Sequence, residues 1–283
     1  MASDPARPAF PDLRSRLVPA VLEVPAPRRL HPAEPDVFAR HQGIVGHDQG
    51  ALDGRDVTFV GAGGIGGWAA AACLRLGFRR VRLIDGDPAA DATNLPRQLF
   101  KESQRGLPKA LAVAQALSDH AVAGARIEAV PRMFEEVVEQ LSPFDTDVLV
   151  VGTDNNSSRE FAARWGRRRR IPVVFAMLST DGAFRCVSFS QGPADDDACL
   201  WCAFPDLDPD QSTPCVAAMI PGCLLAGAMT ATFVHRAVMG WPRGVQPFNL
   251  RDIDLLGRVA DRAVFVRQRP GCWLCGGHDE RSR

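Results

Sequence analysis

Apolar and polar positions run along this chain in blocks whose period changes. The continuous apolar run VTFV at 57–60 is followed by GAGGIGG and then by the helix-forming run WAAAACLRL. This pattern predicts a short buried strand, a tight turn and a helix from 66 to about 76, with Gly77 as its C-cap and a second strand at 81–84. After a long polar loop the cadence repeats: KALAVAQALSDH as a helix, RIEAV as a strand, MFEEVVEQL as a helix and DVLVVG as a buried strand. SSREFAARWG is then helical and IPVVFAML a further strand. Alternating strands and helices predict an α/β fold of Rossmann-like type, a mostly parallel sheet flanked by helices. Beyond residue 179 the period shortens to two in GAFRCVSFS, which predicts an antiparallel or edge strand. A polar cysteine-bearing loop, a long apolar helix within 216–239, the strand-like AVFVRQ and a cysteine-rich end follow. Upstream, residues 36–52 read as a short helix and a turn, and 1–35 as a Pro/Arg-rich arm in which LVPAVLEVPAP is a short strand pair or an extended stretch.

Composition changes this picture little. With 283 residues, 46% of them hydrophobic, the chain suffices for one large α/β domain. Its 33 basic side chains balance 33 acidic ones, so nothing asks for a nucleic-acid partner. The run Arg167 to Arg170 reads as a solvated helix end leading into a strand, or else as a docking patch for an acidic partner. The apolar stretch AAMIPGCLLAGAMTATFVH is interrupted by Pro221 and by glycines, which favours a buried helix over a membrane span. The N-terminus has no continuous hydrophobic segment, so a cytoplasmic location is expected, and eight cysteines then need an explanation other than disulfides.

The glycine turn, Gly61, Gly63, Gly64 and Gly66, suits either a dinucleotide or ATP, because both need close approach of backbone amides at a helix N-terminus. Asp85, ending the next strand, stands where a carboxylate accepts from ribose hydroxyls. The loop beyond it concentrates Asp87, Asn94, Arg97, Gln98 and Lys109, a set of charges that a redox domain does not ordinarily need. Arginine and lysine aimed at phosphates offset charge developing on phosphorus. Asp154, in TDNNSSRE at the end of a strand, either holds Mg²⁺ against ATP or caps the next helix, with Ser157 and Ser158 as further caps.

Taken together, GAGGIGG, the strand-end DGD, NLPRQLF, GLPKA, TDN and paired CxxC motifs resemble the ThiF/MoeB family of adenylating enzymes, relatives of the ubiquitin-activating enzymes. The resemblance spans roughly residues 36–280. It implies one adenylation domain over 36–283 that uses ATP and Mg²⁺ to adenylate the C-terminal carboxylate of a ubiquitin-like or sulfur-carrier protein ending in Gly-Gly, with release of pyrophosphate. On that reading Asp85 binds ribose with Asp87 as support, Asn94, Arg97 and Lys109 handle phosphates, and Asp154 holds the metal. VFARHQGIVG resembles the family's N-terminal motif, in which Phe38 precedes Arg40 and the arginine reaches ATP across a homodimer; Val37 stands where arginine is usual.

Cys199 with Cys202 and Cys272 with Cys275 have knuckle spacing for one tetrahedral Zn²⁺, tying the C-terminal tail to the loop after 190; unpaired buried cysteines or a redox CxxC are the alternatives. Cys73, Cys186 and Cys223 read as small core residues. Cys215, in a polar loop before the long helix, either attacks the acyl-adenylate or is dispensable. Three rival functions remain: adenylation of a ribosomal peptide in natural-product biosynthesis, a nicotinamide or flavin oxidoreductase, and a non-catalytic scaffold. The sulfur donor or conjugation acceptor is expected to be a separate protein, and no membrane partner is expected.

Overall fold

The computed structural model describes residues 20–23, 37–88, 90–122, 124–138, 140, 145–179, 184–210 and 217–276. Cys215 and all of the N-terminal arm except 20–23 lie outside these residues. In chain order the elements are β1 (Ala20–Glu23), α1 (Gln49–Leu52), β2 (Asp56–Val60), α2 (Gly66–Leu76), β3 (Arg80–Ile84), α3 (Lys109–Ser118), β4 (Arg126–Val130) and α4 (Phe134–Val137). They continue as β5 (Val148–Val151), α5 (Asn156–Arg169), β6 (Val173–Leu178), β7 (Arg185–Gln191), α6 (Leu200–Ala203), α7 (Ile220–Met239), β8 (Leu250–Asp254) and β9 (Arg262–Val264).

The strands form a nine-stranded sheet in the order β1-β4-β3-β2-β5-β6-β7-β8-β9. β4, β3, β2, β5 and β6 run parallel. The pairings β1–β4, β6–β7, β7–β8 and β8–β9 are antiparallel. The sheet is therefore mixed, where the alternating pattern predicts a mostly parallel one. The reason lies in the connections: parallel neighbours need a long crossover, and the segment from Leu178 to Arg185 is too short to supply it, so the chain turns back on itself.

Alternate residues of the central strands serve opposite faces. Val57, Phe59, Val81, Leu83, Ile127 and Val150 pack with α2, α3 and α7 in one core. Val60, Ile84, Val130, Leu149, Val151 and Phe175 pack with α4, α5 and α6 in another. Each face buries its own layer, the arrangement that makes parallel strands read as unbroken apolar runs. Gly77 adopts φ +111° and caps α2 as the sequence predicts. α7 is long and apolar enough to cross a membrane by length and composition, but half of that window is buried, and it packs against α2, β6 and β7. β8 is an element that the sequence pattern does not announce.

Candidate active site

A cleft of about 870 Å³ opens at the carboxyl ends of the parallel strands, where the strand order reverses around β2. Its floor is the glycine turn. Gly61 has φ +91°, and a Cβ there would meet the Gly152 carbonyl carbon at 3.2 Å. A Cβ at Gly66 would fall 1.9 Å from the Gly61 carbonyl oxygen, so only glycine lets the helix start this close to the strand. Gly61, Gly63, Gly64 and Ile65, the residues just before α2 begins, thereby line the cleft.

Asp85 fastens this turn. One carboxylate oxygen accepts from Ala62 N at 2.7 Å and the other from Asp87 N at 2.9 Å. Burial pushes its pKa up, against the pull of Lys109 and of these hydrogen bonds. Lys109 Nζ lies 4.0 Å from Asp85 and donates to Asp87. Burial works to lower the Lys109 pKa, yet Asp85, Asp87 and Asp154 outweigh it and raise the value above the ordinary lysine range. The ammonium is therefore held charged inside the cleft. Arg97 donates to Asn94 Oδ1 at 2.7 Å, while its carbonyl accepts from Trp68 Nε1 at 3.1 Å. Gly61, Gly63, Gly64, Asp85, Asp87, Asn94, Arg97, Gln98, Lys109 and Asp154 all line the one cleft, while Gly66, the first residue of α2, is buried and does not line it.

Asp154 is not the helix cap; Asn155 is, with its side chain accepting from Ser158 N at 2.7 Å. That frees the capping role from the carboxylate, which belongs to the cleft lining. Arg159 is a cleft residue that the motif reading misses. Its Nη1 donates to Asn156 Oδ1 at 2.7 Å and its Nη2 to the Thr153 carbonyl at 2.6 Å, so it braces the loop bearing Asp154. Burial lowers its pKa to about 10 against the pull of Asp154. The signal in the sequence is its place five residues after Asp154 in TDNNSSRE. Gln98 Oε1, Thr153 Oγ1 and Arg159 Nε are buried polar atoms with no hydrogen-bond partner, all on cleft-lining residues. Orphaned polar atoms at one cleft are what a missing polar ligand leaves behind. Cys223 is buried as predicted, but it also lines this cleft, and a Cβ on Gly64 would meet its Sγ at 2.8 Å. Arg40 is exposed on a 3₁₀ turn, Ala39–His41, and does not line the cleft of its own chain.

The four knuckle cysteines converge away from the cleft. Cys199 and Cys202 Sγ are 3.8 Å apart, Cys199 and Cys272 3.5 Å, and Cys202 and Cys275 3.3 Å, with all four sulfurs within 4.8 Å of one another. Four sulfurs about 2.3 Å from a tetrahedral zinc require separations of this order, so the cluster is able to bind a metal. Trp201 and Trp273, one from each knuckle, meet edge to face at 5.2 Å, and Arg164 of α5 lies 5.3 Å over the Trp273 ring.

A profile described as the ThiF family matches residues 39–274. Among curated proteins, the adenylyltransferase and sulfurtransferase uba4 of Emericella nidulans is 27% identical over 244 residues, covering 80% of this chain and 49% of its own. The adenylyltransferase and sulfurtransferase MOCS3 of Anopheles gambiae is 31% identical over 226 residues, covering 77% of this chain and 49% of its own. The chain thus spans about half the length of these curated relatives. Among solved structures, E. coli MccB with MccA-N7isoASN superposes with a TM-score of 0.67 at 20% identity, covering 81% of this chain and 69% of that one. MccB with ATP gives a TM-score of 0.62 at 19% identity, covering 81% and 69%. At such identities the likeness is one of fold.

Proposed function

The chain belongs to the ThiF family, and from that premise we propose that it adenylates the C-terminal carboxylate of a peptide, using ATP and releasing pyrophosphate. The observation that carries the reading is the convergence of the glycine turn, Asp85, Arg97, Lys109 and Asp154 on one cleft that also holds orphaned polar atoms. The carrier-protein substrate implied by the motifs takes second place. A peptide is favoured by the likeness to MccB, solved with MccA, over 81% of this chain. A ubiquitin-like or sulfur-carrier substrate is supported by the two adenylyltransferase and sulfurtransferase relatives.

ATP fits the residues present: ribose hydroxyls at Asp85, phosphates over the glycine turn, with Arg97 and Lys109 beside them. A carboxylate oxygen of the peptide attacks the α-phosphorus. The bond from that phosphorus to the bridging oxygen breaks, and its electron pair leaves with pyrophosphate. The fixed charges of Arg97 and Lys109 offset the charge gathering on the leaving group, an effect worth roughly 10²–10³ in rate per donor. Asp154 would hold Mg²⁺, which neutralises the phosphates when bound. Ala176, Met177 and Leu178 of β6, together with Leu207 and Ala218, also line the cleft and would receive the peptide tail. Arg40, exposed in its own chain, reaches the ATP of a second subunit in a homodimer. The product is an acyl-adenylate for a later nucleophile.

Exchange of labelled pyrophosphate into ATP tests the first step without presuming the acceptor. Exchange that depends on short peptides with a free C-terminal carboxylate is the expected result. Exchange only with folded carriers ending in Gly-Gly would move the assignment to the second reading, and nicotinamide binding without exchange would remove both.

A further inference from the structure

The segment carrying Arg40 is joined to the end of α7 by hydrogen bonds among imidazoles, and these bonds admit one protonation state. Gln49 Nε2 donates to the Leu76 carbonyl at 3.0 Å, which fixes the orientation of its amide. Gln49 Oε1 then lies 2.9 Å from His41 Nδ1 and 3.0 Å from His47 Nε2. An amide oxygen only accepts, so both nitrogens carry protons. A neutral His47 protonated on Nε2 has a bare Nδ1, and that atom sits 2.8 Å from His235 Nε2. His235 is therefore the donor there, and its own Nδ1 is left to accept from the Arg236 guanidinium. The His47 and His235 rings stack at 5.1 Å and 11°, and His41 meets His47 edge-on at 5.3 Å.

A second proton has no place on the two stacked rings. On His235 it would go to Nδ1, facing Arg236; on His47 it would go to Nδ1, facing the N–H of His235. Either addition breaks a hydrogen bond and brings like charges together. The basic groups that face the pair are Arg236, next to His235 on α7, and His41 of the 3₁₀ turn, edge-on to His47. Of the nearby carboxylates, Asp48 accepts from Gly50 N at 2.9 Å and Asp53 pairs with Arg79 at 3.1 Å. Burial, then Arg236, His47 and His41, push the His235 pKa down to about 4.

We propose that His47 and His235 are positioning residues that clamp the Arg40-bearing turn onto α7 and α2, and that protonation of His235 releases it. The proposal rests on the reading of Arg40 as a residue that reaches a partner's ATP. A value below the ordinary 6.5 means that the released state takes up the proton first. Docking is complete above about pH 6.5 and weakens by up to about tenfold per pH unit below it, for one proton.

Amide hydrogen exchange of peptides covering 37–49, corrected for intrinsic rates, reads the clamp from about pH 7.5 down to about pH 5. Protection there should fall with acid while the β2 and β5 peptides keep theirs. His235→Gln, which keeps a donor and an acceptor but does not titrate, should flatten that fall; His47→Gln carries the same test if the first variant does not fold. Flat protection in the wild-type protein, an unchanged fall in the variants, or parallel loss from the core would each overturn the clamp. Calorimetric ATP affinity separates this from the role of Arg40. It should weaken with the clamp in the wild-type protein and lose that dependence in Arg40→Ala. If both proteins follow one curve while the exchange result stands, the Arg40 reading is overturned and the clamp is not.

Discussion

Lys109 and Asp85 show how one side chain sets the charge of another. The lysine is 7% exposed and the aspartate 8%; the aspartate helps hold the lysine above its ordinary range, and the lysine pulls the aspartate down against the rise that burial imposes. Lys109→Met keeps most of the volume and removes the charge. Pyrophosphate exchange should fall about 10²-fold or more, as for loss of a transition-state donor. A second effect follows from the sign of the coupling. Lys109 lowers the pKa of Asp85, so its removal lets burial push that value higher. ATP affinity, which needs the carboxylate ionised for ribose, should then be lost at a higher pH than in the wild-type protein. Titration of ATP binding against pH checks this, and an unmoved acid limb would show that the pair does not interact. Asp85 and Lys109 are legible in the sequence because each follows a strand or opens a helix at a set distance from the glycine turn. Arg159 is legible only as a position five residues after Asp154; its role comes from burial and from the backbone it braces, which the sequence does not show.

β8 escapes a reading by hydrophobic period because its inward positions carry charge. In LRDID the buried residues are Leu250, Asp252 and Asp254. Asp252 accepts from Arg185 on β7 at 2.8 and 2.6 Å and from Arg262 on β9 at 2.6 Å, so one carboxylate ties three strands together. Hydrogen bonding from Arg185 leads the effects that hold its pKa below the ordinary value. A depressed carboxylate stabilises the fold above its unfolded value of 3.8, and that stabilisation is lost as pH falls through the lower folded value. Asp252→Asn leaves Arg185 and Arg262 short of an anion and should cost about 1–3 kcal/mol in urea denaturation at neutral pH. The difference between the two proteins should shrink as pH falls below about 4, where the carboxylate of the unfolded chain takes up a proton before that of the folded one. The parallel strands β2 to β6 are read correctly from their apolar runs, since there the period and the burial agree. The Arg167 to Arg170 run likewise ends α5, with Arg168 to Arg170 exposed and Arg167 half-buried, donating to the carbonyls of Ala194, Asp195 and Asp197.

At the scale of the molecule, the motifs foretell the α/β core and the cysteine cluster, but the balance of parallel and antiparallel pairing depends on connection lengths that periodicity does not weigh. Two assembly features can be tested directly. Freshly purified, reduced protein should contain about one zinc ion per chain, and Cys199→Ser or Cys275→Ser should lower both metal content and melting temperature, because a tetrahedral site does not survive loss of a thiolate. Elemental analysis finding no zinc would remove that assignment. For the proposed homodimer, Arg40→Ala subunits mixed with Lys109→Ala subunits should regain part of the exchange activity that each parent lacks, since one of the two proposed shared sites is then intact. Heterodimers that form but stay inactive would place Arg40 outside the reaction. β2, at the centre of the sheet, also governs how the chain must be made. It pairs with β3 soon after it in sequence, but its other edge waits for β5, and the backbone N–H of Asp56 is closed by Asp147, 91 residues later. At ribosomal speed that interval lasts roughly 5–20 s, during which a bare apolar strand edge leaves the exit tunnel ahead of its partner. Slower translation of 61–147 would lengthen that exposure, and trigger-type chaperones that shield nascent apolar segments would have their greatest effect on yield there.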